Sequence, residues 1–203
     1  MCYSQFMSKD KHHHGDLREA LIIAGIDLME LGGPRALSLR KCASKAGVSH
    51  AAPAHHFNGI VSLKAAIVAR SYKIFAETMR AYRSEKTEPR ARLVAICEGY
   101  LSFAHSHAAL FQFMFQSFEE DLSQINAPIL KELEDHSRAA FGELKQACAP
   151  FAPVGGQEGG TEVMVWSLVH GYAMLFSSAP KGATPVGVLP NFEQILPDFP
   201  LRN

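Results

Sequence analysis

The sequence predicts an all-α protein in which an N-terminal three-helix helix-turn-helix domain precedes a C-terminal helical bundle. Apolar residues recur at the spacing of one helix face along most of the 203-residue chain. Near the N-terminus, two short helical segments are joined by a tight turn that contains glycine, which is typical of a helix-turn-helix. The sequence has no convincing strand pattern and no internal repeat.

The first predicted helix follows Asp16, because apolar residues fall at helical spacing from Leu17 to Leu31. Asp16 and Glu19 have the spacing of a capping box. The two glycines before Pro34 then end the helix.

Two shorter helices complete the predicted N-terminal domain. Ser38 caps a short helix that Gly47 ends. Ser49 is expected to cap a third helix over residues 50–57, where Pro53 is tolerated because it lies in the first turn. These two helices and their turn are the predicted helix-turn-helix.

The rest of the chain predicts a larger helical unit. Its helices and one short apolar segment span residues 61–82, 89–106, 108–115, 128–148 and 161–178. A glycine- and proline-rich loop precedes the last of them, and the tail after Pro180 has room for at most one helical turn. We call residues 1–60 the head, with a flexible arm over residues 1–15, and residues 61–203 the body.

Composition excludes several classes of protein. The sequence shows no signal peptide, and its most apolar stretch is too short and too interrupted to cross a bilayer. The four cysteines form no C-x-x-C pair, so neither a zinc site nor a disulfide framework is indicated. We therefore expect a cytoplasmic protein without a membrane, metal or cofactor partner. No nucleophile elbow or phosphate loop is present, so we do not expect an enzyme.

Charge is distributed unevenly between the two predicted units. Residues 1–80 hold 11 Lys and Arg against 6 Asp and Glu, and the remainder holds 9 against 14. A basic head on an acidic body is typical of a protein whose one end meets a polyanion, although ordinary surface variation gives the same split.

The predicted third helix has side chains suited to the major groove of DNA. Small residues at Ala51 and Ala52 let the backbone approach base edges closely. The hydrogen-bonding groups for bases and phosphates come from Ser49, His50, His55 and His56.

Several motifs of the chain resemble the tetracycline-repressor family of bacterial regulators. The helix-turn-helix stretch over residues 37–57 reads LSLRKCASKAGVSHAAPAHHF. The run HHHGDLREAL at residues 12–21, LFQFMF at 110–115 and WSLVHGYAMLF at 166–176 resemble one subgroup, whose C-terminal domain has a Trp-His-Gly motif. Together the motifs cover about residues 12–178 in the order of that family.

The resemblance implies a role for each unit. The head would bind double-stranded operator DNA, the body would enclose a pocket for a small apolar effector, and two subunits would pair through their last helices. Carried over by position, the base contacts are Ser49, His50, Ala51 and Ala52. The backbone contacts are Ser38, Arg40 and His55.

Two positions depart from the family pattern where its members hold phosphate. Ala54 stands in place of a tyrosine, and Ile60 stands in place of a lysine. Lys64, one turn further along, is a candidate to replace the lost lysine contact. A third departure is the tail, where a proline- and glycine-rich segment replaces the family's final dimerisation helix. Pairing is therefore expected to rest mainly on residues 161–178.

The densest aromatic stretches of the body are candidate pocket residues or plain core. A stripe of this kind is more often core, and the family resemblance raises the pocket to an equal alternative. Trp166 and His170 share a helix face and fit a packed core or dimer face at least as well as a pocket wall. The candidates are Tyr100, Phe103, Phe111, Met114, Phe115, Trp166 and His170, with Phe118 in the same stretch.

The sequence thus favours a ligand-responsive repressor that binds a palindromic operator as a homodimer. The alternative is a helical interaction protein of the same fold that has lost sequence-specific DNA binding, which Ala54 and Ile60 support. Residues 12–14 are three histidines, and we interpret them as part of the flexible arm on DNA rather than a metal site, since adjacent side chains diverge.

Overall fold

The computed structural model describes residues 17–83, 85–115, 122–176 and 190–202. The regular structure of these residues is helical, apart from one isolated antiparallel bridge between Phe151 and Leu201. The predicted all-α fold class is confirmed. No helix in the described ranges is both long and apolar enough to cross a membrane. The proposed arm, its histidines, Asp16 and Phe118 lie outside the described residues.

The head begins with helix α1 (Leu17–Gly32) and helix α2 (Leu39–Lys45). Ser38 caps α2 as predicted, because its side chain accepts a hydrogen bond of 3.2 Å from the Lys41 amide. Gly47 then turns the chain with a φ of 71°, a conformation that residues with a Cβ rarely adopt.

The third helix of the head is shorter than predicted. Only Ala52–His55 is helical, in the 3-10 form, in place of an α-helix over residues 50–57. Its N-cap is Ala51 and receives no side-chain hydrogen bond, so the expected cap at Ser49 is wrong. Pro53 explains the late start, since an α-helix from residue 50 would need the Pro53 amide to donate to the Ser49 carbonyl and proline has no amide hydrogen.

The body consists of one long helix and the helices that pack around it. The long helix is α3 (Gly59–Arg83), and it is followed by α4 (Pro89–Ser106) and α5 (Ala108–Phe115). Next come α6 (Ala127–Cys148) and α7 (Gly160–Phe176). A single turn, α8 (Phe192–Ile195), lies in the described part of the tail, for which the sequence predicted at most one turn.

Two apolar cores lie one above the other, and α3 belongs to both. The head core takes Leu63 and Ile67 from the first half of α3, together with residues of α1 and α2. The body core takes Phe75 and Met79 from its second half. A boundary at residue 60 would therefore assign Leu63 and Ile67 of the head core to the body, and the predicted boundary at that position stays a proposal.

The last described residues fold back onto the body. Phe192 and Leu196 are buried in the body core, and the Arg90 guanidinium donates to the carbonyl oxygens of Leu196 and Pro197 at 2.9 and 2.5 Å. The Arg202 side chain donates to the Phe151 carbonyl at 2.9 Å. This segment acts as a strap over the ends of α4 and α6.

Helices α3 and α4 cross closely at Gly99, and this contact generates a stability prediction. A Cβ at Gly99 would lie 2.8 Å from the Met79 Cα, which is backbone and cannot rotate away. We expect Gly99→Ala to lower the free energy of unfolding by about 1–3 kcal/mol, as overpacking does. Gly142→Ala is the matched control, because a Cβ at this helical glycine meets nothing within 4 Å. The control should raise the free energy of unfolding by about 0.5–1 kcal/mol in urea denaturation. Equal stability of the two variants would contradict the close crossing.

Candidate functional site

A cavity of about 420 Å³ opens into the body between α3, α4, α5, α6 and α7. Its walls are mostly aromatic or aliphatic, and its charged lining residues, Glu134 and Arg138, are exposed on α6. The lining residues are Tyr72, Phe75, Met79, Tyr100, Phe115, Glu134, Ser137, Arg138, Ala140, Phe141, Leu144 and Trp166. Pockets for small molecules are typically apolar with a few polar groups, which is the composition found here.

Phe75 lies at the centre of the aromatic wall. Its ring centroid is 4.7 Å from that of Tyr100 at an interplanar angle of 78°, and 6.4 Å from that of Phe115 at 87°. Tyr72, one turn earlier on α3, meets Phe115 edge-on at 6.1 Å. Edge-to-face contacts of this kind stabilise ring orientation beyond simple burial, so the wall has a defined shape.

The structure brings part of the predicted pocket set to the cavity. Tyr100, Phe115 and Trp166 line it. The other candidates, Phe103, Phe111, Met114 and His170, are not lining residues and pack behind the wall, three of them fully in the body core. Their role is to hold the lining rings, as His170 does with its centroid 4.6 Å from Phe115.

None of the lining residues on α3 and α6 is among the predicted pocket residues. Phe75 lies on the apolar face of its helix, but periodicity does not tell which buried residues face a void. On α6 the cavity is lined at positions 134, 137, 138, 140, 141 and 144, a stripe at helical spacing that mixes charged, small and aromatic residues. A search for an aromatic cluster alone overlooks such a stripe.

A hydrogen bond joins the cavity wall to α7. The Tyr100 hydroxyl lies 2.8 Å from Nδ1 of His170. Burial raises the pKa of the Tyr100 hydroxyl and lowers the pKa of the His170 imidazole, so both groups stay neutral at neutral pH. With a neutral imidazole, one of the two groups donates the hydrogen bond and the other accepts it.

An ion-pair cluster anchors α6 against α3 beside the cavity. The Glu143 side chain is buried, and its Oε1 accepts from Arg80 at 2.9 and 2.7 Å. Its Oε2 forms an ion pair with Arg83 at 3.0 Å, in a geometry that falls short of a hydrogen bond. Removal of either arginine would leave the negative charge of the buried Glu143 carboxylate less compensated, which would destabilise the fold.

The candidate DNA-binding residues around the 3-10 helix of the head are accessible. Ser49, His50, Ala51 and His55 are exposed, while Ala52 and His56 are half-buried. Pro53 is buried, and buried Phe57 joins this segment to the head core. Ser38 and half-buried Lys64 lie at the starts of α2 and α3, and Arg40 is exposed on α2.

Helix α5 connects the cavity with the head. Phe115, at its C-terminal end, lines the cavity, and Leu110 in its middle belongs to the head core. Phe113 packs against both cores. Just before the helix begins, Nδ1 of His107 lies 2.8 Å from Oε1 of Glu30 near the end of α1. Contacts along α5 and at His107 therefore link Phe115 to α1.

The outer face of α7 carries exposed residues and no charge. Val163 is 60% exposed, Leu175 63% and Met174 45%. Glu162, the charged residue of this helix, is buried. Phe141 on α6 packs edge-on against Trp166, with the ring centroids 5.7 Å apart. Because both rings are partly exposed, they extend the apolar surface. An apolar helix face of this kind is typical of a protein–protein contact.

The described cysteines are buried thiols and lack the features of a redox switch. Burial raises the pKa of Cys148 to about 12 and also raises the pKa of Cys97 and Cys42. A reactive cysteine requires the opposite shift. Within the described ranges, no three His, Cys, Asp or Glu side chains group in a way that could hold a metal ion.

Comparison with known proteins gives a sequence match and several structural neighbours. The family model described as the tetracyclin repressor-like C-terminal domain matches residues 93–198, just over half of the chain. No curated protein gives a significant match.

The solved structures share the fold over most of their length. A protein of unknown function from Rhodococcus sp. RHA1 is 25% identical, with 85% of this chain and 91% of that chain covered and a TM-score of 0.62. A regulatory protein of the tetR family from Rhodococcus RHA1 is 16% identical, with coverages of 79% and 84% and a TM-score of 0.57. The transcriptional regulator FadR from Bacillus subtilis, in complex with stearoyl-CoA, is 14% identical, with coverages of 77% and 84% and a TM-score of 0.56.

The neutral His170 makes the stability of the fold depend on pH. Its pKa is lower in the folded protein than in the unfolded chain, so the unfolded chain binds the proton first as pH falls below about 6.5. Stability is therefore lost progressively from that pH downwards, until the folded pKa is reached.

We expect wild-type protein to lose more free energy of unfolding between pH 7 and pH 5 than His170→Gln. His105→Gln, at an exposed position on α4, is the matched control and should follow the wild type. Urea denaturation at the two pH values measures this, and parallel losses in all three proteins would refute it.

Proposed function

The chain belongs to the tetracycline-repressor family of transcriptional regulators, and from this premise we propose that it is a dimeric repressor released from DNA by a small effector. In this proposal the head binds a palindromic operator and the aromatic cavity is the effector site. The observation that carries the proposal is helix α5, which has one end in the cavity wall and its middle in the head core.

The exposed segment around the 3-10 helix is the proposed reader of base edges. Ser49, His50, Ala51 and Ala52 would enter the major groove, where serine and histidine can exchange hydrogen bonds with bases. Ser38, Arg40, His55, His56 and Lys64 would hold the phosphate backbone. Phosphate contacts fix the register on DNA, and base contacts provide the sequence preference.

The uncharged face of α7 is the proposed dimer contact. Two copies of this face can pack about a two-fold axis, since an isologous contact pairs each surface with itself. A Cβ at Gly171, on the same helix, meets nothing within 4 Å in the protomer, so this side is open to a second helix. The two heads would then bind half-sites about one DNA turn, ~34 Å, apart.

Release would follow from a change in the spacing of the two heads. A molecule in the cavity contacts Phe115 and the second half of α3, both of which continue into the head. It shifts the equilibrium only if it binds the released conformation more tightly than the DNA-bound one. The coupling is reciprocal, so operator DNA must weaken effector binding by the same factor.

The test of DNA binding combines selection with a gain of contact. Purified protein should enrich a palindrome from random duplexes at low salt, and Ala54→Tyr/Ile60→Lys should bind it more tightly than wild type does. Ala54 is exposed and Ile60 is half-buried at the start of α3, so both side chains can reach solvent. The added lysine should steepen the dependence of log affinity on log salt by about 0.9.

Leu31→Lys adds the same charge at a residue 82% exposed at the end of α1, and it is the matched control for DNA affinity. No enriched sequence from a folded protein would defeat the repressor proposal and support an interaction protein. An enriched palindrome with an unchanged salt slope in the double variant would show that residues 54 and 60 do not face phosphate.

The dimer contact predicts a specific sensitivity to charge on α7. Val163→Glu places a carboxylate in the proposed contact, where burial without a partner is unfavourable. We expect this variant to sediment as a monomer at concentrations where the wild type is dimeric. Leu31→Glu introduces the same charge at an exposed apolar position outside α7 and should remain dimeric. A dimeric Val163→Glu variant would place the contact elsewhere.

A further inference from the structure

We infer that the cavity takes an uncharged molecule of two or three aromatic rings. This inference rests on the proposed function, in which the cavity is the effector site, and it adds the chemical class of the effector. Cavity size, the nature of the walls and the charges at the rim support it independently.

The first argument is size. An apolar protein cavity of about 150 Å³ is enough to bind benzene. The cavity here is about 420 Å³, close to three times that volume. It accommodates two or three rings with little empty space, and a larger molecule would extend into solvent.

The second argument is the chemistry of the walls. Six aromatic side chains from five helices surround the space: Tyr72, Phe75, Tyr100, Phe115, Phe141 and Trp166. Ring pairs gain more than simple burial provides, so such walls favour an aromatic guest over an alkyl chain of the same area. The Tyr100 hydroxyl already has a partner in His170, so this polar group of the wall does not require one from the bound molecule.

The third argument is charge. Glu134 and Arg138 are the charged lining residues, four positions apart on α6, and their charges cancel. The neighbouring Asp135 carboxylate lies 2.8 Å from Nζ of Lys131 and 3.5 Å from Nη1 of Arg138. Asp135 and Lys131 are therefore a second pair of opposite charges beside the mouth. A mouth with no net charge in its described residues gives little attraction to a polyanion. We therefore expect stearoyl-CoA, with which the similarly folded FadR was solved, to bind this cavity weakly.

The experiment uses Trp166, because it is the single tryptophan of the chain and lines the cavity. The full-length protein is titrated with 2-naphthol and phenanthrene, and separately with decan-1-ol and stearoyl-CoA. Calorimetry gives the affinity, and the change in Trp166 fluorescence reports occupation of this site. We expect both aromatic probes to bind more tightly than the other two and to change the Trp166 emission.

A pair of variants tests the wall directly. Phe75→Leu removes the central ring and keeps an apolar side chain, so naphthol affinity should fall about two- to tenfold. Phe199→Leu, at a buried phenylalanine of the strap, is the matched control and should keep the wild-type affinity. Thermal denaturation of both variants shows whether a loss of affinity reflects unfolding.

The outcomes separate this inference from the proposed function. Tighter binding of decan-1-ol or stearoyl-CoA, or no effect of Phe75→Leu in a folded protein, would overturn the inference while operator selection stands or falls separately. Aromatic binding with Trp166 as reporter supports the inference even where the protein selects no operator, and the repressor proposal would then be the part that fails.

Discussion

The architecture depends on the continuity of helix α3. Its 25 residues, about 37 Å long, run from the head core to the second half that lines the cavity. An uninterrupted helix cannot bend sharply without losing backbone hydrogen bonds, so its two halves move together. The Glu143 cluster on α6 holds the second half through Arg80 and Arg83. Helix α3 is therefore a rigid connection between the head and the cavity walls, and α5 is the second connection.

The sequence was sufficient for the fold and for most of the helix boundaries, because both follow from local signals. Ser38 and Pro89 mark helix starts, and the apolar period marks each buried face. The third helix of the head was overestimated, since Pro53 was weighed as a tolerated first-turn residue and not as a limit on hydrogen bonding. The conformation of that segment follows from its turn residues rather than from helical propensity.

The cavity could be predicted only in part, because a void is a property of three-dimensional packing. Tyr100 and Phe115 are predicted from an aromatic stripe, and Trp166 from the helix face that it shares with His170. Phe103 and Phe111 belong to the same stripe and have the same chemistry, yet they turn into the core. Helical spacing places all of them on inward-facing positions and carries no information on which neighbour leaves space. The α6 lining residues are even harder to predict from the sequence, because their stripe includes the exposed pair Glu134 and Arg138.

In the proposed function, the energy for release of DNA has to come from the cavity walls. The described polar links between head and body include two partly exposed ion pairs, Arg18 with Glu132 and Arg70 with Glu19, and the hydrogen bond of Ser62 to Asn126. Exposed ion pairs contribute about 0–1 kcal/mol each, whereas reversing a 1:99 equilibrium takes about 5.5 kcal/mol of differential binding. Breaking such links cannot supply that difference. Contacts to buried rings can, and the rings that face the cavity stand on α3 and α5, the helices that also enter the head core. In the proposed function, the position of the aromatic wall is thus what would allow binding at the cavity to act on the head.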